Sequence, residues 1–140
     1  MTKWYDKYIN IPYKHLGNDP KSGMDCFNLC RYIYNEQTGI NIPYFSFDHC
    51  NIVDDDWYNK TSDPIFEKSA LADSSWKRVS EPKKFDFVLM SIGSTNISNH
   101  CAMYLENNKI IHSMIDRPSW VSPYGSYYQQ YTTGLYRWIT

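Results

Sequence analysis

The fold is decided by the stretch from Ser22 to Pro43, which reads SGMDCFNLCRYIYNEQTGINIP. Asp25 is a typical helix N-cap, and apolar residues follow it at helical spacing. Gly39 is typical of the residue that ends a helix, and Pro43 prevents its continuation. This pattern predicts a helix whose first residue is Cys26 and whose last turn precedes Gly39.

The position of Cys26 at the start of a helix indicates a reactive thiol. The unpaired N–H groups and the dipole of a helix N-terminus favour negative charge, so we expect the pKa of the Cys26 thiol to be lowered. The alternative is an inert buried cysteine, since free cysteine is among the most buried residue types. Cys30, one turn later, is interpreted as such a core residue.

The second half of the chain has the pattern of an antiparallel sheet. Apolar runs of strand length alternate with turn signals, and Glu106–Asn108 has the composition of a hairpin loop. The predicted strands are Phe85–Ile92, His100–Leu105, Lys109–Met114 and Thr132–Ile139. Ahead of them lie an irregular lead-in at 4–24 and a weakly patterned region at 44–84, with short helical pieces at Asp54–Lys60 and Pro64–Leu71. One early helix followed by antiparallel strands predicts an α+β fold.

A cysteine nucleophile needs a histidine base that is held by a third polar group. The candidates are His15, His49, His100 and His112. The last two lie on adjacent predicted strands. A three-residue loop at Glu106–Asn108 would pair Ala102 with His112 and place both histidines on one face, about 7–8 Å apart, whereas a two-residue turn would place them on opposite faces. The catalytic interpretation therefore predicts the longer loop, with Asn108 in the left-handed region.

Composition limits the classes of partner. The chain has 140 residues and a net charge of −1, which predicts a single domain over residues 1–140 and argues against nucleic acid as the main partner. The clustered cations are interpreted as a solvated loop: Lys77, Arg78, Lys83 and Lys84. The N-terminus lacks an apolar signal-peptide region, and no apolar run of about 18 residues exists, so we expect synthesis in the cytoplasm and no membrane span. Free thiols are then expected at Cys26, Cys30, Cys50 and Cys101.

Two segments together resemble the NlpC/P60 family of cysteine peptidases. The first is YKHLG, followed by SGMDCFNLCRYIY and GINIP; the second is FDFVLM, followed by NHCAMYLENNKIIHSM. In that family a Tyr precedes a Gly-rich turn, an Asp-Cys pair opens a helix, and two adjacent strands carry the catalytic His and a third polar residue. The matching positions are Tyr13, Asp25, Cys26, the strand around Asp86, His100 and His112.

The resemblance implies a papain-like α+β fold and hydrolysis of peptidoglycan stem peptides. The bond is typically the one between D-γ-glutamyl and the following diamino acid, and no metal or organic cofactor is needed. Cys26 would attack the carbonyl, His100 would act as the base, and His112 would orient His100. The expected substrate-binding residues are Tyr13, Asp25 and Phe27, with Asp25 meeting an amino group and the Tyr13 hydroxyl assisting the backbone N–H of Cys26 at the oxyanion.

The sequence departs from the common family pattern at three positions. Phe27 and Asn28 stand where Ser and Gly usually follow the catalytic cysteine. Phe85 stands where Gly usually precedes the Asp of the strand. None of these changes removes a catalytic group.

The C-terminal part, HSMIDRPSW and YGSYYQQYTTGLYRW, is similar to the phage-tail branch of that family. This resemblance implies association with a virion tail, tail-tip proteins as partners, and help in cell-wall penetration during infection.

Three other interpretations remain at this stage. A zinc module would use Cys26, Cys30, His100 and Cys101, although adjacent strand residues point to opposite faces. A tail-tip assembly protein would use the tyrosines between 124 and 136 as an interface, with weak or no hydrolysis. Acyl transfer or amidase chemistry would use the same Cys-His-His set with a different acceptor or leaving group.

Overall fold

The structure, a computed structural model, describes residues 2–44, 57–59, 61–62 and 64–139. The helices are α1 (Cys26–Thr38), α2 (Ile65–Ala72) and α3 (Ser126–Tyr131), with 3-10 turns at Asp6–Tyr8 and Trp57–Asn59. The strands are β1 (Asn18–Asp19), β2 (Gly23–Met24), β3 (Trp76–Val79), β4 (Phe87–Met90), β5 (His100–Tyr104), β6 (Lys109–Met114), β7 (Arg117–Pro123) and β8 (Thr132–Trp138). Within these ranges, no helix is both long and apolar enough to cross a membrane.

Helix α1 has the predicted ends. The Asp25 carboxylate accepts a hydrogen bond from the backbone N–H of Asn28 at 2.7 Å, which caps the first turn. Gly39 has φ 77°, the left-handed conformation that ends a helix without a side-chain clash. The helix prediction around Cys26 is therefore confirmed.

Strands β3 to β8 form one six-stranded sheet in the order β3-β8-β4-β5-β6-β7, and all of its pairs are antiparallel. Helix α1 packs against β5 and β6. Alternate strand residues enter two buried clusters. One cluster includes Leu29, Cys30, Ile33, Leu89, Met103 and Ile111. The other includes Val88, Met90, Ala102, Ile110 and Leu135. The predicted α+β plan, with the cysteine-bearing helix on an antiparallel sheet, is confirmed.

The β5–β6 hairpin has the register that the catalytic interpretation requires. Met103 pairs with Ile111, and the backbone N–H of Leu105 donates to the Lys109 carbonyl at 2.9 Å. The connection is the three-residue loop, and Asn108 has φ 60°. His100 and His112 therefore share a face of the sheet, as predicted.

The sequence pattern missed the two-residue strands β1 and β2, which lie in the region interpreted as an irregular lead-in, and three larger elements. Strand β7 occupies a region in which no strand was predicted, and its prolines are tolerated because β7 is an edge strand of the sheet. Strand β3 forms the other edge and includes Lys77 and Arg78, so the interpretation of these two cations as loop residues is wrong. Helix α3 is short and polar, without the apolar spacing that would have indicated it. The last predicted strand ends at Trp138 rather than Ile139.

Some predictions fall on residues outside the described ranges. His49, Cys50 and most of the predicted helical piece Asp54–Lys60 belong to them, and only the turn Trp57–Asn59 of that piece is described. The second predicted piece, Pro64–Leu71, corresponds to α2 with a shift of one residue.

Phe85 occupies a conformation that normally favours glycine. Its φ is 74°, which strains an L-residue. Its ring packs edge-on against Trp4 and Tyr34, with centroid distances of 5.5 and 5.9 Å. It leads directly into Asp86, which is 1% exposed and accepts hydrogen bonds from Arg137 Nε and Nη2 at 2.8 and 2.7 Å. The aromatic contacts offset the backbone strain at a position where the resembled family commonly has glycine.

We predict that Phe85→Gly is more stable than Phe85→Ala by about 1 kcal/mol, because both lose the ring and only alanine keeps the strained Cβ. Urea unfolding of the two variants measures this difference. The matched control is the pair Asn35→Gly and Asn35→Ala at an exposed position of α1, where alanine should be the more stable by roughly 1 kcal/mol. Equal stability, or a more stable alanine, at position 85 would contradict the strain.

Candidate active site

A cavity of about 210 Å³ lies at the N-terminal end of α1. Cys26 enters its wall from the first turn of α1, and His100 enters from the first residue of β5. Of the other predicted site residues, Tyr13, Asp25 and Phe27 also line it. Further lining residues are His15, Tyr44, Trp57, Phe66, Ser113 and Met114. The fold thus brings residues that are far apart in sequence to one concave site.

His100 is held by His112. His100 Nε2 lies 2.8 Å from His112 Nδ1, and the side chains are 4% and 0% exposed. Because Nε2 of His100 is used in this bond, Nδ1 is the nitrogen left for the cavity. Among the described residues, no hydrogen bond joins the Cys26 thiol to His100, so the two face one cavity as separate groups.

The other nitrogen of His112 also has a partner. His112 Nε2 lies 2.8 Å from the hydroxyl oxygen of Ser122 on β7. The Trp120 ring packs over the His112 ring at 4.0 Å and 32°, and Tyr128 meets the same ring edge-on at 5.0 Å. The guanidinium of Arg117 lies 3.8 Å from the Trp120 centroid. These contacts fix the plane and position of His112.

The pKa of the Cys26 thiol is raised, and the prediction that it is lowered is wrong. Burial is the main cause, since the side chain is 9% exposed. The charge of Asp25 adds to the rise, and Cys30 adds further. The backbone N–H groups of Cys101 and Phe27 favour the thiolate, as the helix-start argument requires, but they do not outweigh burial.

Burial also keeps both histidines neutral. It lowers the pKa of His100 to about 3 and, together with the charges of His100 and Arg117, lowers the pKa of His112 to about 2. The resting site is therefore a neutral thiol facing a neutral imidazole rather than a preformed ion pair.

Asp25 has a second role beside helix capping. The Tyr44 hydroxyl donates a short hydrogen bond to Asp25 Oδ2. Burial raises the pKa of Asp25, against the hydrogen bonds from Tyr44 and the N–H of Asn28. Arg31 on α1 anchors the chain just before Tyr44, since Arg31 Nε donates to the Ile42 carbonyl at 2.6 Å. A buried carboxylate therefore borders the cavity.

Tyr13 and Phe27 are held at the cavity in different ways. Tyr13 lies beside β2, because Met24 N donates to the Pro12 carbonyl at 2.9 Å and Tyr13 bridges to Met24. This pairing fixes Tyr13 next to the start of α1. Phe27 is a core residue as well as a lining residue, with its ring 5.6 Å from that of Phe87.

Cys30 and Cys101 lie behind the site. Both are fully buried free thiols, with their sulfur atoms 3.9 Å apart. Within the described ranges, no group of three or more His, Cys, Asp or Glu side chains is arranged to hold a metal ion. The zinc alternative built on these cysteines gains no support from this arrangement.

The sequence reasoning missed several residues of the site. Ser122 and Trp120 lie in β7, a segment for which no strand was predicted. Its sequence, RPSWVSP, has a proline near each end and no regular alternation of apolar and polar residues, so it carried no local signal that could have placed them. The Ser113 hydroxyl is buried in the cavity wall, and none of the described residues forms a hydrogen bond with it. Asn28 anchors the turn before α1, since its Nδ2 donates to the Gly17 carbonyl at 2.9 Å.

This arrangement has the parts that nucleophilic acyl transfer needs. A thiol and an imidazole face one cavity, and a second imidazole holds the first. The backbone N–H of Cys26 lies in the first turn of α1, where it has no acceptor within the helix and can donate to an oxyanion. The neutral imidazole can accept the thiol proton as sulfur attacks a carbonyl.

We predict that neither His100 nor His112 becomes protonated between pH 8 and pH 5 in the folded protein, because their pKa values are about 3 and about 2. Histidine-labelled protein followed by NMR measures this, and in urea the same rings should titrate near pH 6.5.

Since the unfolded chain binds more protons below pH 6.5, these residues stabilise the fold above that pH, and the stabilisation is lost as pH falls towards 3. The free energy of unfolding should fall more steeply with acid in the wild type than in His112→Asn. Protonation of either ring above pH 5 would contradict the neutral site.

Comparison with known proteins agrees with this geometry. The model of the NlpC/P60 family matches residues 10–137. The chain is 27% identical over 105 residues to the murein DD-endopeptidase MepH of Escherichia coli (strain K12), which covers 75% of this chain and 32% of that protein. It is 40% identical over 38 residues to the gamma-DL-glutamyl hydrolase of Bacillus subtilis (strain 168), which covers 27% of this chain and 9% of that protein. The chain thus spans about a third or less of the length of these two relatives.

Among solved structures, the fold is similar to that of the peptidoglycan hydrolase RipB of Mycobacterium tuberculosis. The TM-score is 0.56 at 23% identity, over 96% of this chain and 60% of that one. At this identity the likeness concerns the fold alone, whereas the family match extends over nearly all of the sequence, including the helix start at Cys26 and the histidine strands. The chain belongs to the NlpC/P60 family.

Proposed function

We propose that this protein is a cysteine peptidase that hydrolyses peptidoglycan stem peptides, with Cys26 as nucleophile, His100 as base and His112 as the residue that orients it. One observation carries the proposal: Cys26 and His100 line one cavity, while the bond from His100 Nε2 to His112 Nδ1 leaves the other nitrogen of His100 for the thiol. A buried, fixed second imidazole is costly to the fold unless it has a partner, and His100 is that partner.

The reaction begins from the neutral pair. As the Cys26 sulfur bonds to the scissile carbonyl carbon, its proton moves to Nδ1 of His100. The backbone N–H of Cys26, assisted by Tyr13, stabilises the oxyanion. His100 then gives its proton to the leaving amine as the C–N bond breaks, and a thioester remains on Cys26. Water activated by His100 hydrolyses this thioester and restores the thiol.

Coupling of proton transfer to attack follows from burial. A free thiolate in this cavity would lack solvation, and burial and the Asp25 charge already raise the pKa of the thiol. Deprotonation is therefore favourable only when the negative charge passes on to the oxyanion. Substrate binding would also displace water from the cavity and shield the developing charges.

The substrate class is supported by the names of the relatives and by the charge of the site. The relatives are a murein endopeptidase and a glutamyl hydrolase, and the family resemblance favours the bond between D-γ-glutamyl and the following diamino acid. The buried Asp25 carboxylate at the cavity wall is suited to a free amino group of the stem peptide. Tyr13 and Phe27 provide apolar contact beside it.

A role in a phage tail is the second candidate. It rests on the resemblance of the C-terminal part, and α3 offers one supporting observation. Tyr127 is 55% exposed and packs with Tyr128 and Tyr131, so α3 presents aromatic surface that a tail-tip protein could cover. Association with the virion and synthesis in the host cytoplasm stay predictions of the sequence.

We predict that the protein releases new stem-peptide fragments from purified peptidoglycan and that Cys26→Ala abolishes this release, because the nucleophile is lost. Mass spectrometry of the products measures both and identifies the bond. Cys30→Ala is the matched control, since it removes a buried thiol from the same helix and should keep the cleavage pattern. A folded, reduced wild type that releases nothing would overturn the peptidase and favour the assembly role.

We predict that Asp25→Asn weakens binding of a stem peptide with a free amino terminus, with KM raised about 10- to 100-fold, because a charge-assisted contact is lost. Asparagine caps a helix about as well as aspartate, and its amide group can donate to the Tyr44 hydroxyl oxygen in place of the bond that Asp25 accepts, so the variant should unfold at nearly the wild-type temperature. The comparison substrate is the same peptide with an acetylated amino terminus. If Asp25→Asn raises KM by the same factor for both peptides, Asp25 is only a helix cap.

A further inference from the structure

The hydrogen-bonded chain behind His100 ends at Ser122, a residue with no role in the reaction described so far. Ser122 is buried in β7, and its hydroxyl oxygen lies 2.8 Å from His112 Nε2. His112 Nδ1 in turn lies 2.8 Å from His100 Nε2. Three buried side chains are therefore joined by two hydrogen bonds.

The protons in this chain have only two consistent arrangements. A neutral imidazole has one N–H donor and one bare nitrogen acceptor. If His100 Nε2–H donates to His112 Nδ1, then His112 carries its proton on Nε2 and donates to Ser122. If His112 Nδ1–H donates to His100 Nε2 instead, then His112 Nε2 is bare and Ser122 donates to it.

Only the first arrangement leaves a base in the cavity. In it, His100 Nδ1 is bare and can accept the thiol proton. In the second, His100 carries its own ring proton on Nδ1, so this nitrogen cannot accept the proton of the thiol. The first arrangement also persists after proton transfer, because a doubly protonated His100 still donates from Nε2 to His112.

Trp120 makes the choice depend on Ser122. The packing of its ring at 4.0 Å over His112 opposes a ring flip that would exchange the two nitrogens. With the ring fixed, the nearest partner of His112 Nε2 determines whether the first arrangement is available, because that arrangement places on Nε2 an N–H group that needs an acceptor. A serine hydroxyl can accept that hydrogen bond, whereas a buried apolar group would leave the N–H without a partner.

We propose that Ser122 is a positioning residue that accepts a hydrogen bond from His112 Nε2–H and thereby removes the cost of an unpaired, buried N–H group from the arrangement in which His100 Nδ1 is bare. This inference rests on the proposed function, in which His100 accepts the proton of Cys26. No contact between Ser122 and substrate is involved. The residue acts through His112.

The test uses Ser122→Ala and Ser122→Thr in the full chain, with two readouts. Side-chain ¹⁵N shifts of His100 and His112 give the tautomers in the resting protein. This readout does not require that the protein hydrolyses a substrate. We expect the wild type to carry both protons on Nε2 and Ser122→Ala to lose this preference. Turnover of a stem peptide should then fall in kcat by roughly 10- to 100-fold with KM within about twofold. Ser122→Thr keeps a hydroxyl and should restore both readouts.

The matched control is Ser119→Ala. Ser119 is a fully buried serine of the same strand, and its hydroxyl bonds to the backbone of Ile11 and Tyr8. Its loss should lower the melting temperature and leave the tautomers and kcat unchanged. Wild-type histidines protonated on Nδ1, or an unaltered tautomer in Ser122→Ala, would overturn the proposal even if the protein hydrolyses peptidoglycan. The expected tautomers in a protein without hydrolysis would overturn the proposed function alone.

Discussion

The site depends on one buried hydrogen bond, between His100 Nε2 and His112 Nδ1. It requires two histidines on adjacent strands to share a face, and hence the three-residue loop of the β5–β6 hairpin. A register shifted by one residue would turn one ring to the other face and remove the bond. The six-stranded sheet, the aromatic contacts of β7 and the packing of α1 on β5 and β6 all preserve this geometry. The placement of Cys26 and His100 at one cavity is thus a property of the whole sheet rather than of the cysteine motif.

Burial gives this site a chemistry that the helix start alone would not. The N-terminus of α1 favours a thiolate, but the closed surroundings of Cys26 and the neighbouring Asp25 disfavour it more strongly. The same burial keeps His100 neutral. In the proposed reaction, the thiol therefore stays protonated until a carbonyl is present to receive the charge. Asp25 contributes twice, since it caps the helix that positions Cys26 and supplies a carboxylate to the cavity.

The sequence predicted the parts of this structure that follow from local pattern. The cap at Asp25, the helix end at Gly39 and the hairpin register with Asn108 in the left-handed region all depend on nearby residues, and all are confirmed. The edge strands were missed because prolines in β7 and charges in β3 resemble loop composition. Ser122 and Trp120 were missed with them. The direction of the Cys26 pKa was wrong for a related reason: burial is set by tertiary packing, and a local motif does not report it. Asp25, Cys26 and His100, which line one cavity, could be singled out from the sequence because each stands at the start of a predictable element.

The central claim is that Cys26 forms a covalent bond to substrate with His100 as its base. Rapid acid quench of the wild-type protein during turnover of a stem peptide, followed by mass spectrometric mapping of its thiols, tests this claim most directly. The account predicts an acyl group on Cys26 and on no other cysteine, present during turnover and absent once substrate is exhausted. Turnover without any acylated cysteine, or acylation of Cys30, Cys50 or Cys101 instead, would contradict it.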